Sequence, residues 1–292
     1  MSDASAGTRN HPFHIIDPSP WPAVGALAAF VLTVGAVFYM HGDGAWLMLL
    51  GVAMVLFVMV GWWRDVIHES RVEKAHTPKV ITGLQWGMIL FIVSEVMFFA
   101  AFFWAYFHNA LLINPSMTLE GLPDADLVQF AEDRIPAMWP PEGLETVPAF
   151  GLPFINTVIL LTSGFVLMWG MKGLKKENWK QLQRGILGAV VLGFLFLGLQ
   201  IYEYYIIAYD YWVITDGAFP STFYLATGFH GFHVFVGACF LTVCYFRARK
   251  QGFTKEKHIG LLSAEWYWHF VDVVWLFLFV WVYWWVGLAP AV

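Results

Sequence analysis

The chain has 292 residues, 59% of them apolar and 18% aromatic, with only 13% charged and a formal net charge of -5. A soluble domain carries roughly 25% charged residues, and a disordered chain combines low hydrophobicity with high net charge, so both classes are excluded, as is a basic nucleic-acid binder. The apolar residues come in runs long enough for a bilayer core of about 30 Å, which takes about 20 helical residues, so the composition describes a polytopic membrane protein.

The first twenty residues are polar and hold Arg9, His11, His14 and Asp17. They lack the apolar centre of a signal peptide, so the chain is expected to keep its own start. After a polar segment at 1–21, apolar runs cover 22–40, 45–63, 80–112, 151–171, 185–208, 221–246 and 259–288. None alternates as a barrel strand would, so the expectation is an all-α bundle of seven transmembrane helices forming a single membrane domain over 1–292. Pro22 and Pro220 stand near the starts of the first and sixth runs, where a missing amide proton is harmless. The third run, about 50 Å long as a helix, must tilt or project beyond the bilayer. The connection at 113–150 shows no clear periodicity, with room for a short helix around 125–133 and no second domain. No internal repeat is visible, which speaks against a transporter of duplicated halves.

Lysine and arginine set the orientation. Fifteen of the sixteen fall before the first span or after the second, fourth and sixth, and Arg134 alone lies in the acidic third-to-fourth connection. The positive-inside rule therefore puts the N-terminus on the cytoplasmic or matrix side and the C-terminus outside. Cys239 and Cys244 lie five apart in one run, on different helical faces, so no mutual disulfide is expected. No haem-attachment sequence or cysteine cluster is present.

Ionisable groups at membrane depth cost several kcal/mol unless paired, which makes each a functional candidate. Glu95 sits among Phe91, Val96, Phe98 and Phe99, about 22 Å from the inner surface by helical rise. Two readings stay open: a proton relay or anchor for another molecule, and a structural hydrogen bond to a neighbouring helix. His230 and His233 share a face of the sixth span, and Glu265, His269 and Asp272 form a stripe on the seventh. His233 and Asp272 come at about 20 Å depth, within reach of each other. The group reads as a hydrogen-bonded polar network rather than a metal site, because no second pair stands at ligand spacing. Glu203, near the outer end of the fifth span, reads as a solvated interfacial acid, and Trp281, Tyr283, Trp284 and Trp285 read as an interfacial aromatic belt. At the inner surface Trp62, Trp63, Arg64, Glu69, His76 and Arg247 suit a phospholipid headgroup, with ordinary interfacial anchoring as the alternative.

Several of these segments carry extended motifs: WWRDVIHES at 62–70, HTP at 76–78, WGMILFIVSEVMFF at 86–99, WPPEG at 139–143, ATGFHGFHV at 226–234 and WYWHFVDVVWLFLF at 266–279. In them the chain resembles subunit III of haem-copper cytochrome c oxidase, over nearly its whole length from residue 20 onward. Related quinol oxidases have a shorter third subunit of five spans, so the first two spans favour the cytochrome c branch. The resemblance implies a non-catalytic core subunit of a proton-pumping oxidase, its helices split two plus five around a phospholipid-filled cleft. It implies oxidase subunits I and II as partners, with haem and copper held there and none in this chain, and cytochrome c as substrate of the complex. By motif position Glu95 matches a buried, carbodiimide-reactive carboxylate, and Trp63, Glu69, His76 and Arg247 match lipid-site residues. The sequence departs from the family in its longer outer connection and at His68, where a relative has Arg. Two rival functions remain: a membrane metalloprotein using His230, His233, His269 and Asp272, and a proton path through Glu95 and Glu203. The membrane expected is the bacterial plasma membrane, with the mitochondrial inner membrane second.

Overall fold

Backbone amides and carbonyls left unpaired in hydrocarbon cost several kcal/mol each, so long apolar runs close their hydrogen bonds within themselves as helices. The computed structural model describes residues 13, 18–73, 76–112, 139–141 and 144–288. Among them are seven helices long and apolar enough to cross a membrane, and no strand. They are α1 (Trp21–Met40), α2 (Trp46–Arg71), α3 (Pro78–Phe107, continued by a π-helical turn His108–Leu112), α4 (Leu152–Lys175), α5 (Trp179–Asp210), α6 (Ala218–Arg249) and α7 (Ile259–Leu278). A π-helical stretch, Phe279–Trp284, and a last turn, Trp285–Gly287, carry α7 onward. The helix expected around 125–133 and the residues Arg9, Lys74 and Arg134 lie outside the described residues.

The chain divides into two compact units, Met1–Trp86 and Gly87–Val292, with the boundary inside α3. In the first, α1 and α2 form a hairpin whose turn uses Gly42 and Gly44, both at positive φ (88° and 89°). Lipid tails are as apolar as leucine, so helices in a membrane associate by close van der Waals approach, favoured by small residues. Here a Cβ on Gly35 would run into the backbone of Leu47 and Met48, and one on Gly51 into that of Leu32. At the start of α1 the Trp21 ring covers Gly61, and its indole donates to Asp65 Oδ2 at 2.6 Å.

In the second unit α4 and α5 form a hairpin with Gly170 against Gly185, and Asn178 caps α5 by accepting from the Gln181 amide at 3.1 Å. Its centre is the buried ring of Trp268 on α7, slotted where a Cβ at Gly193 of α5 or Gly237 of α6 would stand, with its indole donating to Ser163 Oγ of α4 at 2.9 Å. Two turns on, Trp275 repeats the device, donating to Thr157 Oγ1 at 2.9 Å and meeting Phe196 edge to face at 4.7 Å. The C-terminal half of α3 joins by long aromatic side chains: Phe98 on Phe229 at 5.0 Å, Phe103 on Phe277 at 4.4 Å, and the Tyr106 hydroxyl donating to Trp281 O at 2.9 Å.

Candidate functional site

The site lies inside the second unit, where α3, α6 and α7 bring ionisable groups to membrane depth. Glu95 of α3 points at α6, and its Oε2 lies 2.8 Å from His233 Nε2. The other ring nitrogen, Nδ1, is 2.6 Å from Phe229 O, one turn back on α6. A carbonyl only accepts, so Nδ1 carries the hydrogen and donates it. Nε2 of the neutral ring is then a bare acceptor, and a 2.8 Å contact with a carboxyl oxygen requires one more proton between them. Either a neutral acid donates to a neutral ring or an imidazolium donates to a carboxylate. Both arrangements leave the pair with no net charge, the affordable condition in hydrocarbon. Phe98, Phe99 and Tyr267 wall the imidazole, with ring centroids at 5.8, 4.9 and 6.4 Å.

Of the two readings left open for Glu95, the geometry supplies the partner helix that a structural bond needs. The contact expected between His233 and Asp272 is not made. Asp272 instead meets His269 Nδ1 at 3.1 Å, on its own helix, and lies over Gly164 of α4, where a Cβ would displace it. His230 joins neither pair. It is fully buried, its ring 5.1 Å from Trp275 and 5.7 Å from Phe196, and neither ring nitrogen has a hydrogen-bond partner among the described residues. The side-chain hydrogen bonds among these groups are Glu95–His233, between α3 and α6, and His269–Asp272, within α7. Among the described residues no group of three or more His, Cys, Asp or Glu is placed to hold a metal ion.

Two interfacial assignments need correction. Glu203 is 2% exposed, inside the bundle, with Tyr283 and Gln200 as its polar neighbours, because α5 extends to Asp210 and carries the acid deeper than the apolar run alone suggests. Tyr283 is 1% exposed and packs on Phe223 and Trp275, since the π-helical stretch turns it inward, whereas Trp284 remains exposed. Asn156, which donates to Gln200 Oε1 at 3.4 Å, was not singled out by sequence. It adds a fourth buried polar side chain to this region.

The lipid-site candidates fall in both units. Trp63 is exposed, and Glu69 and His76 are partly buried, in the first. In the second, the Arg247 guanidinium lies over the Phe253 ring at 4.5 Å, which holds the charge at the C-terminal end of α6.

The family model described as Cytochrome c oxidase subunit III matches residues 11–287. This chain belongs to that family. It is 46% identical to cytochrome c oxidase subunit 3 of Arabidopsis thaliana over 96% of this chain and 99% of the relative. It is 46% identical to that of the alga Prototheca wickerhamii, with the same shares covered, and 43% identical to that of the dogfish Scyliorhinus canicula over 94% and 97%. As a subunit III it is part of an oxidase complex with other subunits, in a membrane that its seven helices span.

Proposed function

We propose that the chain is the non-catalytic core subunit III of a proton-pumping cytochrome c oxidase, which binds phospholipid and supports the stability and proton uptake of the catalytic subunit. Subunits I and II are its partners and hold the haem and copper, and cytochrome c is the substrate of the complex. The observation that carries this reading is the Glu95–His233 pair: in a subunit III whose one acid on α3 is bonded to an imidazole that is itself bonded to backbone, that acid is favoured as a supporting rather than a catalytic group. Fifteen of sixteen basic residues on one side favour an inward N-terminus, and the membrane proposed is a bacterial plasma membrane.

Glu95→Gln keeps size and hydrogen bonding, so the whole oxidase carrying it is expected to assemble fully and to start turnover at nearly the normal rate in liposomes. Loss of most electron transfer with the subunit still at full stoichiometry would make Glu95 a proton carrier and overturn the supporting role. Arg247→Ala removes a charge-assisted phosphate contact worth about 1.5–3 kcal/mol. Mass spectrometry of the complex should then count fewer bound phospholipids, and an unchanged count refutes the lipid assignment.

A further inference from the structure

In the second unit a cavity of about 420 Å³, which Arg247 does not line, opens between α4, α7 and the loop joining α6 to α7. Its polar wall is Lys172 and Lys175 of α4, Lys255 and His258 of the loop, and Glu265 of α7. Met168, Met171, Leu174 and Leu262 make the apolar remainder. The loop is braced on both sides. Lys257 N donates to Thr254 Oγ1 at 3.0 Å, and Lys255 Nζ pairs with Glu177 at 3.0 Å across to the α4–α5 turn.

We propose that this cavity binds the headgroup of an anionic phospholipid carrying one phosphodiester, at a site that Arg247 does not line. Charge complementarity supports that choice. Three lysines set against Glu265 and against Glu177, the partner of Lys255, leave a single positive charge, which one phosphodiester neutralises and a zwitterionic headgroup does not. Depth supports it as well. Glu265 lies about 9 Å along α7 from its start, whereas Lys172 is about 4.5 Å from the end of α4, so the acid stands deeper than the lysines. The ammonium of a zwitterionic headgroup projects outward from its phosphate and would not reach Glu265. Lysine stems cross the apolar layer with their ammonium groups at headgroup level, the height at which a phosphate rests. The size suits a headgroup and its glycerol, within the usual range of about 300–1,000 Å³ for small-molecule sites.

The proposal rests on the membrane reading of this chain but not on the Arg247 assignment. The test uses the intact oxidase complex in nanodiscs of phosphatidylcholine with increasing phosphatidylglycerol, comparing the unaltered chain, Arg247→Ala and the triple variant Lys172→Gln, Lys175→Gln, Lys255→Gln by native mass spectrometry. The triple variant should retain one fewer phosphatidylglycerol and need roughly a hundred-fold more of it for equal occupancy. Phosphatidylcholine retention and subunit stoichiometry should not change. Inorganic phosphate added to phosphatidylcholine discs should neither bind at this site nor displace phosphatidylglycerol; displacement would identify a free-anion site and overturn the lipid. Equal phosphatidylglycerol retention in the triple variant and the unaltered chain overturns the proposal. So does protection of the three lysines from amine-reactive reagent in the complex without anionic lipid, since a partner subunit would then fill the cavity. If Arg247→Ala also leaves the lipid count unchanged, the lipid reading of the whole chain fails; if Arg247→Ala lowers it and the triple variant does not, this pocket fails alone.

Discussion

The α1–α2 hairpin and the bundle of the second unit solve the same problem by different means. The hairpin buries almost nothing large: Ala28, Gly35, Gly51 and Val58 are its buried residues, and backbone lies on backbone. The bundle buries Trp268, Trp275, Phe196, Phe223 and Tyr283, and threads polar side chains among them. A hairpin held by glycines needs one long stripe of contact and no particular partner for any side chain. A bundle held by indoles needs a slot for each ring and an acceptor for each N–H. The first is a generic adhesive surface, whereas the second specifies which helix sits beside which, because Trp268 fits only where Gly193, Gly237 and Ser163 converge.

The sharpest way to break that contrast is Trp268→Ala, which empties the central slot and removes the indole donor to Ser163, whose hydroxyl keeps only its own bond to Leu160 O. A loss of about 3–5 kcal/mol is expected, read as subunit dissociation or thermal inactivation of the complex at much lower temperature. A loss no larger than that of a surface substitution would mean that the slot does not organise the bundle. Next comes Gly51→Leu, which forces α1 off α2 at a cost of about 1–3 kcal/mol. Proteolysis or cross-linking should then report a loosened hairpin while the melting of the bundle stays put. Smallest is Trp21→Phe, which keeps a ring over Gly61 but removes the donor to Asp65, at about 1 kcal/mol or less. A drop in hairpin stability equal to that of Gly51→Leu would show that a polar clasp, not glycine contact, holds the pair.

The number and type of helices were legible because length and hydropathy decide them: the first run, expected over 22–40, forms Trp21–Met40. Ends were less so. The sixth run, expected over 221–246, forms Ala218–Arg249, because Arg247 and Arg249 can continue a helix while their charged heads reach the headgroup layer. Which face of each helix looks inward was not legible, since a span apolar all round has no polar side to point outward. That is why Tyr283 and Glu203 were misplaced. Glu95 and His233 were each picked out, at about 22 and 20 Å depth, yet not joined. Chain adjacency favoured the α6–α7 hairpin as the source of a partner, whereas the matching depths already put α3 opposite α6.

The bond from His233 Nδ1 to the Phe229 carbonyl also limits traffic through the site. Conduction along a histidine needs a proton to arrive at one nitrogen while another departs from the opposite one, followed by a ring turn that resets both. Here the far nitrogen faces an oxygen that accepts a hydrogen bond and cannot carry a proton away, and aromatic walls crowd the ring on several sides. The proton shared between Glu95 and His233 therefore meets a dead end at the ring, with no onward route through Nδ1.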